Sequence, residues 1–202
     1  AVAFNHDGSL VATGSADNKL RLVEVASGAV VREVELGDHV LAHLQKNSVR
    51  ALAFNHDGSL VATGSWDNKL RLVDVASGAV VHEVKHEAPV AAVAFCPHDS
   101  SLVATASLDK KLRLLKARSG GWANQPGHEV GAAVLEVEHA DLVWAVAFNH
   151  DGSLVATGSM DYKLRLVEVA SGAVVREVEH GGRVRAVAFS RDGSLVATGS
   201  AD

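Results

Sequence analysis

Residues 147–159 read AFNHDGSLVATGS, and the same string stands at residues 3–15 and 53–65. Edited versions occupy 94–107 and 188–200, so the copies hold all five phenylalanines, Phe4, Phe54, Phe95, Phe148 and Phe189. The spacings between them are 50, 41, 53 and 41 residues. The chain is therefore written in a 41-residue unit, with 9 residues added after the first Phe and 12 after the third. Residues 186–202 repeat residues 1–17 at every position except Asn5/Ser190 and His6/Arg191. Self-similarity at a period near 40 residues marks an architecture whose units bury their faces against their neighbours.

Inside each unit the apolar period is two. Leu20, Leu22 and Val25 are interleaved with Lys19, Arg21 and Glu24, and Val31, Val34 and Leu36 bracket Arg32, Glu33 and Glu35. Asp7-Gly8 turns a hairpin between the runs at 1–5 and 10–15, because glycine tolerates positive φ. Further runs at 19–25 and 29–35 follow Asp17-Asn18 and Ser27-Gly28. Four short strands per unit of this length describe one blade of a β-propeller. The expected fold is all-β, with four full four-stranded antiparallel blades plus a half blade of strands a and b. The blades fall at 1–35, 48–85, 89–138 and 142–180, the half blade at 183–202, and the insertions at 37–45 and 121–131.

Composition narrows the functional classes. Of 202 residues, 48% are hydrophobic and 21% charged, enough for a packed core, and no run approaches a membrane-spanning length. A formal charge of −5 argues against nucleic acid or an anionic membrane as the partner. Cys96 is the single cysteine, so no internal disulfide forms and a reducing, cytoplasmic location is expected. Residue 1 is Ala, and no charged and apolar leader pattern follows it.

These residues resemble the WD-repeat β-propellers over essentially the whole chain. The shared pattern is a His, then V-x-x-V-x-F, Asp-Gly, Leu-Val-Ala-Thr-Gly-Ser, an Asp and Leu-Arg-Leu. The resemblance implies a structural hydrogen-bond network joining a His before strand a, the Ser of strand b, the Asp of the b–c turn and a Trp of strand c. It assigns the His to His86, His139 and His180. The Ser falls at Ser65, Ser107, Ser159 and Ser200, and the Asp at Asp67, Asp109, Asp161 and Asp202. The sequence departs from the family at the Trp, where Val23, Val73, Leu115 and Val167 stand. The residue after it also varies, as Glu24, Asp74, Lys116 and Glu168.

A Ser–His–Asp set such as His139, Ser159 and Asp161 invites a hydrolase reading. A hydrolase needs one such set with an exposed nucleophile, whereas here the trio recurs along a repeat, as a structural network does. The pairs His6-Asp7, His56-Asp57, His98-Asp99 and His150-Asp151 sit on separate hairpin tips. Tips of different blades are expected to lie apart unless they face the central axis, with no spacing that converges on one metal ion. Gly120-Gly121 opens no phosphate loop, and Cys96 reads as a small buried hydrophobe. No catalysis, metal or cofactor is expected.

Where the copies disagree, the scaffold does not dictate the residue. Before the turn Asp stand Ala16, Trp66, Leu108, Met160 and Ala201. Four before the Phe stand Arg50, Ala91, Trp144 and Arg185, and six before it Ser48, Pro89, Leu142 and Arg183. The resemblance implies that these positions surround the central opening on the face of the d–a and b–c loops. Arg50, Trp66, Leu108, Leu142, Trp144, Met160, Arg183 and Arg185 then form a partner-binding surface rich in hot-spot residue types. The first insertion extends a d–a connection, with Val40, Leu41 and Leu44 at helical spacing, and puts Leu36 or Gln45 in place of the network His of the second blade, with His39 or His43 within reach of it. The second, with Trp122 and Pro126, extends a c–d connection. The expected function is a non-catalytic scaffold or sensor module that binds a protein or peptide. The alternatives are a repeat module that self-assembles by strand exchange and, further off, a hydrolase. The repeated hairpin leaves two ways to complete the last blade: further blades of a longer chain, or a homo-oligomer.

Overall fold

A computed structural model describes residues 1–37, 48–117 and 130–202 of the chain. The first blade contains β1 (Val2–Phe4), β2 (Leu10–Gly14), β3 (Lys19–Glu24) and β4 (Val30–Glu35). The second contains β5 (Val49–Phe54), β6 (Leu60–Ser65), β7 (Lys69–Asp74) and β8 (Val80–Lys85). The third has β9 (Val90–Phe95), β10 (Leu102–Ser107), β11 (Lys111–Lys116) and β12 (Ala133–Glu138). The fourth has β13 (Val143–Phe148), β14 (Leu154–Ser159), β15 (Lys163–Glu168) and β16 (Val174–Glu179). The hairpin of β17 (Val184–Phe189) and β18 (Val196–Ser200) follows as a two-stranded sheet. Within each blade the strands lie in chain order and pair antiparallel, so the expected four blades and half blade are present. Most of both expected insertions, the apolar triad at 40–44 and Trp122 with Pro126 lie outside the described residues. Among the described residues no helix is long and apolar enough to cross a membrane.

Burial along the strands shows how the blades stack. Strand b of the second and third blades is buried at every residue, because its two faces are covered by different blades. Strand d alternates between exposed and half-buried residues at the rim. In the first three blades the leucines of strand c, among them Leu70, Leu72, Leu112 and Leu114, are about 1% exposed or less and fill the layers between blades. Strand a of one blade packs on strand a of the next (β1 on β5, β5 on β9, β9 on β13, β13 on β17), so this strand is innermost. Small residues on strand b permit that approach. A Cβ placed on Gly158 would stand 2.9 Å from Val184 Cγ1 and 3.0 Å from the Val184 carbonyl.

The a–b turns share one design. The Asn5 and Asn149 amide oxygens accept the Leu10 and Leu154 N–H groups at 2.9 Å, while Asp7 and Asp151 accept the Ser9 and Ser153 N–H groups at 2.8 Å. Such side-chain-to-backbone bonds replace the ladder where the chain reverses. In the last hairpin Ser190 Oγ accepts the Leu195 N–H at 2.9 Å, so the Asn-to-Ser change preserves the turn.

Candidate functional site

The end of the blades carrying the b–c turns and d–a connections is built around a β-bulge in strand a. On β5 the register passes from Val49↔Ser65 to Ala51↔Gly64, leaving Arg50 as the extra residue. The same slip leaves out Ala91 in β9, Trp144 in β13 and Arg185 in β17. These are the four residues that vary four before the Phe. A bulge bends the strand and re-aims the side chain it carries, a device common beside functional sites. The signal was present in the sequence: Val49, Ala51 and Phe54 cannot share one face under strict alternation.

A backbone bond joins the other two variable positions within each blade. Trp66 N–H donates to the Ser48 carbonyl at 3.1 Å, Leu108 to Pro89 at 2.9 Å, Met160 to Leu142 at 2.9 Å and Ala201 to Arg183 at 3.1 Å. The second, third and fourth blades and the last hairpin thus each gather three variable residues at one end of strands a and b. Trp66 is 38% exposed, and the Arg50 guanidinium lies 5.3 Å above its ring centroid, within cation–π reach. Arg183 and Arg185 are exposed, while Leu108, Leu142, Trp144 and Met160 are half-buried.

Beneath this end lies the polar network, and one link is wired differently from the expected Ser–His–Asp chain. His86 Nε2 meets Thr105 Oγ1 at 3.0 Å, His139 meets Thr157 at 2.9 Å, and His180 meets Thr198 at 2.8 Å. The partner is the Thr two residues before the Ser, on the same face of strand b. Ser107 Oγ donates instead toward the Ala88 and Pro89 carbonyls at 3.1 Å, and Ser159 Oγ to the Asp141 carbonyl at 3.1 Å. Ser65, Ser107 and Ser159 accept the N–H of Asp67, Asp109 and Asp161 at 3.2 Å. Ser159 is fully buried and its hydroxyl is committed to backbone, so the trio is not arranged as nucleophile and base.

The carboxylates pair with arginines of strand c. Arg71 reaches Asp67 at 2.5 Å, Arg113 reaches Asp109 at 2.7 Å, and Arg165 reaches Asp161 at 2.7 Å. Each guanidinium also holds a strand-d glutamate, Glu83, Glu136 or Glu177, at 2.8–2.9 Å. The Oδ2 that meets the arginine in Asp109 and Asp161 also accepts the N–H after the His, from Glu87 and Ala140, and Asp202 Oδ2 accepts that of Gly181, each at 3.3 Å. The network thus locks the d–a connection to the b–c turn without a strand-c indole, and the arginines escaped the sequence reading. Burial opposes ionisation of Asp161, but the Arg165 guanidinium outweighs it and holds the carboxyl below its ordinary range. Burial, assisted by Arg113, pushes His86 from 6.5 down to about 4, and burial with Arg165 does the same for His139. In the second blade the residues leading into strand a, His39 and His43 among them, lie outside the described residues, and Thr63 Oγ1 donates to the Arg71 carbonyl at 3.5 Å.

At the opposite end the hairpin tips of neighbouring blades meet in pairs, the exception expected of tips that face the central axis. His6 and His56 have ring centroids 4.5 Å apart, and His98 and His150 5.3 Å apart. The cause is the innermost position of strand a, which draws the a–b turns of neighbouring blades together. A cavity of about 250 Å³ opens beside His6 and His56, over Phe4, Phe54, Phe95 and Cys96. Cys96 is a buried free thiol. Among the described residues no three His, Cys, Asp or Glu side chains are placed to share a metal ion.

The family model described as "WD domain, G-beta repeat" matches residues 1–24, 38–74, 78–115, 132–168 and 172–202. No curated protein matches the chain. Among solved structures, the β-propeller domain of Cps50 (Swd1) from Myceliophteria thermophila superposes with a TM-score of 0.81 at 17% sequence identity. The superposition covers 100% of this chain and 62% of that one, so the likeness is one of fold and the chain spans about three-fifths of the neighbour's length.

Proposed function

Because the chain belongs to the WD-repeat family, whose propellers generally act as protein-interaction scaffolds and are typically non-catalytic, we propose that it captures a protein or peptide on the face of its d–a and b–c loops. The observation that carries this reading is the bulge. The scaffold repeats almost letter for letter, yet the residue on each bulge changes from Arg50 to Ala91, Trp144 and Arg185. A purely structural position in a repeat keeps one residue type, whereas a contact surface differentiates.

Trp66, Trp144, Leu108, Leu142 and Met160 supply apolar contact, and Arg50, Arg183 and Arg185 supply charge around it. Trp and Arg dominate interface energetics because they bury large areas and hydrogen-bond at their edges. Three guanidiniums on a chain of net charge −5 favour a carboxylate-bearing segment in the partner.

A displayed library of random peptides selected against the immobilised 202-residue chain tests the assignment. Peptides recovered on the unmodified chain are expected to lose at least tenfold in affinity on Trp66→Ala and on Arg50→Ala, a cost of about 1.4 kcal/mol or more. The same peptides should bind His98→Ala and His150→Ala unchanged. Recovered peptides that ignore Trp66→Ala and Arg50→Ala would remove this face from consideration.

A further inference from the structure

The copies differ at one more position of the b–c turns. After the turn Asp stand Asn18, Asn68, Lys110 and Tyr162, and all four are left-handed, with φ between 66° and 71°. Asparagine visits this region readily because its short amide bonds locally, whereas a longer side chain stands there at a cost in backbone energy. The fold uses the carbonyl of this residue. It accepts the N–H that opens the next d–a connection, from Leu36 to Asn18, His86 to Asn68, His139 to Lys110 and His180 to Tyr162, at 2.7–2.9 Å. Nothing in that bond calls for a lysine or a tyrosine.

The side chains themselves behave differently. Asn68 Nδ2 points to the Glu87 carbonyl at 3.5 Å, and Lys110 Nζ donates to the Ala140 carbonyl at 3.2 Å. Gly181 holds the matching place in the next connection, yet the Tyr162 hydroxyl has no hydrogen-bond partner among the described residues. Tyr162 is 44% exposed, and Lys110 is exposed at the same position one blade earlier, so the corner faces outward in both turns. Charge also sets Lys110 apart. Lys69, Lys111 and Lys163 each meet a strand-d glutamate, Glu83, Glu136 or Glu177, whereas Lys110 meets no carboxylate among the described residues. A costly backbone conformation, kept for a side chain that the fold leaves without a hydrogen bond, marks contact with something outside the fold.

We propose that Lys110 and Tyr162 carry the partner-binding face outward over the third and fourth blades and hold an acidic segment of the partner. The inference rests on the loop face being the contact surface and names the chemistry met at its outer corner. Lys110 Nζ donates to a carboxylate of the segment, and Tyr162 packs its ring against the segment and donates its hydroxyl to it. Tyrosine suits that task because it offers a large rigid area with a polar tip. Leu108 and Met160 stand on the strand-a side of the same two turns, through their bonds to Pro89 and Leu142, so apolar contact there adjoins the charge of the corner.

Peptides from a displayed random library, selected on the unmodified 202-residue chain, are the probe, read by fluorescence anisotropy beside thermal melts of each variant. Tyr162→Asn should lower their affinity at least tenfold while the melting temperature stays or rises, because Asn fits the left-handed turn. Lys110→Asn should weaken the same peptides and flatten the dependence of affinity on salt. The recovered peptides should share an Asp or Glu. Unchanged affinity in either variant overturns the proposal, as does a set of peptides without a common acidic residue. A melting temperature more than about 4 °C lower in Tyr162→Asn overturns it too, since the fold is then what holds the ring. Losses on Tyr162→Asn and Lys110→Asn, with Trp66→Ala and Arg50→Ala silent, keep this corner as the site and remove the inner residues, so the two readings fail separately.

Discussion

The buried histidines give this propeller a pH dependence with a defined window. His139 Nδ1 lies 3.3 Å from the Val137 carbonyl, which can only accept, so Nδ1 carries the proton and Nε2 accepts from Thr157 Oγ1 at 2.9 Å. That arrangement requires a neutral ring, and burial together with Arg165 holds the folded-state pKa at about 4 against 6.5. The unfolded chain therefore binds the proton first as pH falls. Stability from this residue is complete above pH 6.5, declines as pH falls toward about 4, and is constant below. At about 1.36 kcal/mol per pH unit the whole effect is about 3 kcal/mol, of which about 2 kcal/mol is lost by pH 5. Glu33, Glu136, Glu177 and Asp161 have carboxyls below their ordinary range, so their contributions begin to fall only under about pH 4.5. Between pH 7 and 5 the histidine effect stands alone. Urea unfolding of the native chain and of His139→Asn at each pH isolates it: the variant is less stable at pH 7, and the gap should narrow by about 2 kcal/mol at pH 5. A gap that stays constant from pH 7 to 5 would refute the buried neutral imidazole.

Two further substitutions probe the supports of the loop face. Arg113→Met leaves the Asp109 carboxylate, whose side chain is 2% exposed, without its guanidinium, and should cost about 3 kcal/mol in chemical denaturation, with Lys restoring only part because it lacks the fork that spans Asp109 and Glu136. Gly182→Ala places a Cβ 2.7 Å from the Ala201 carbonyl carbon and the Asp202 nitrogen, so backbone must move; faster amide exchange confined to β17 and β18, with a cost of about 1–3 kcal/mol, is expected.

The fold was legible because a repeat multiplies its own evidence. Each Asp-Gly turn and each Leu-Arg-Leu run is weak alone, but the same order written at 41-residue spacing admits few architectures. The wiring was less legible. Thr105, Thr157 and Thr198 look like ordinary β-branched strand residues, and only the distance from the His ring singles them out over the serines two positions on. The Arg71, Arg113 and Arg165 bridges were hidden for a similar reason: alternation places an arginine on the polar face of strand c without saying which carboxylates meet it. The pairing of His6 with His56 depends on which strand is innermost, a property of the ring and not of any one blade. The bulge could have been read, since the apolar residues three apart in V-x-x-V-x-F, such as Val143 and Val146, share one core only if the alternation is broken between them.

If the varied residues at the d–a and b–c end form the surface that meets a partner, as proposed, binding must slow their amide exchange. Amide hydrogen exchange on the chain, alone and saturated with a peptide selected against it, tests this directly. Slowed exchange is expected at residues 48–50, 66–68, 142–145, 160–162 and 183–185, with the hairpin tips at 6–8, 56–58 and 150–152 unchanged. Protection confined to the hairpin tips, with the bulge residues unaltered, would contradict it.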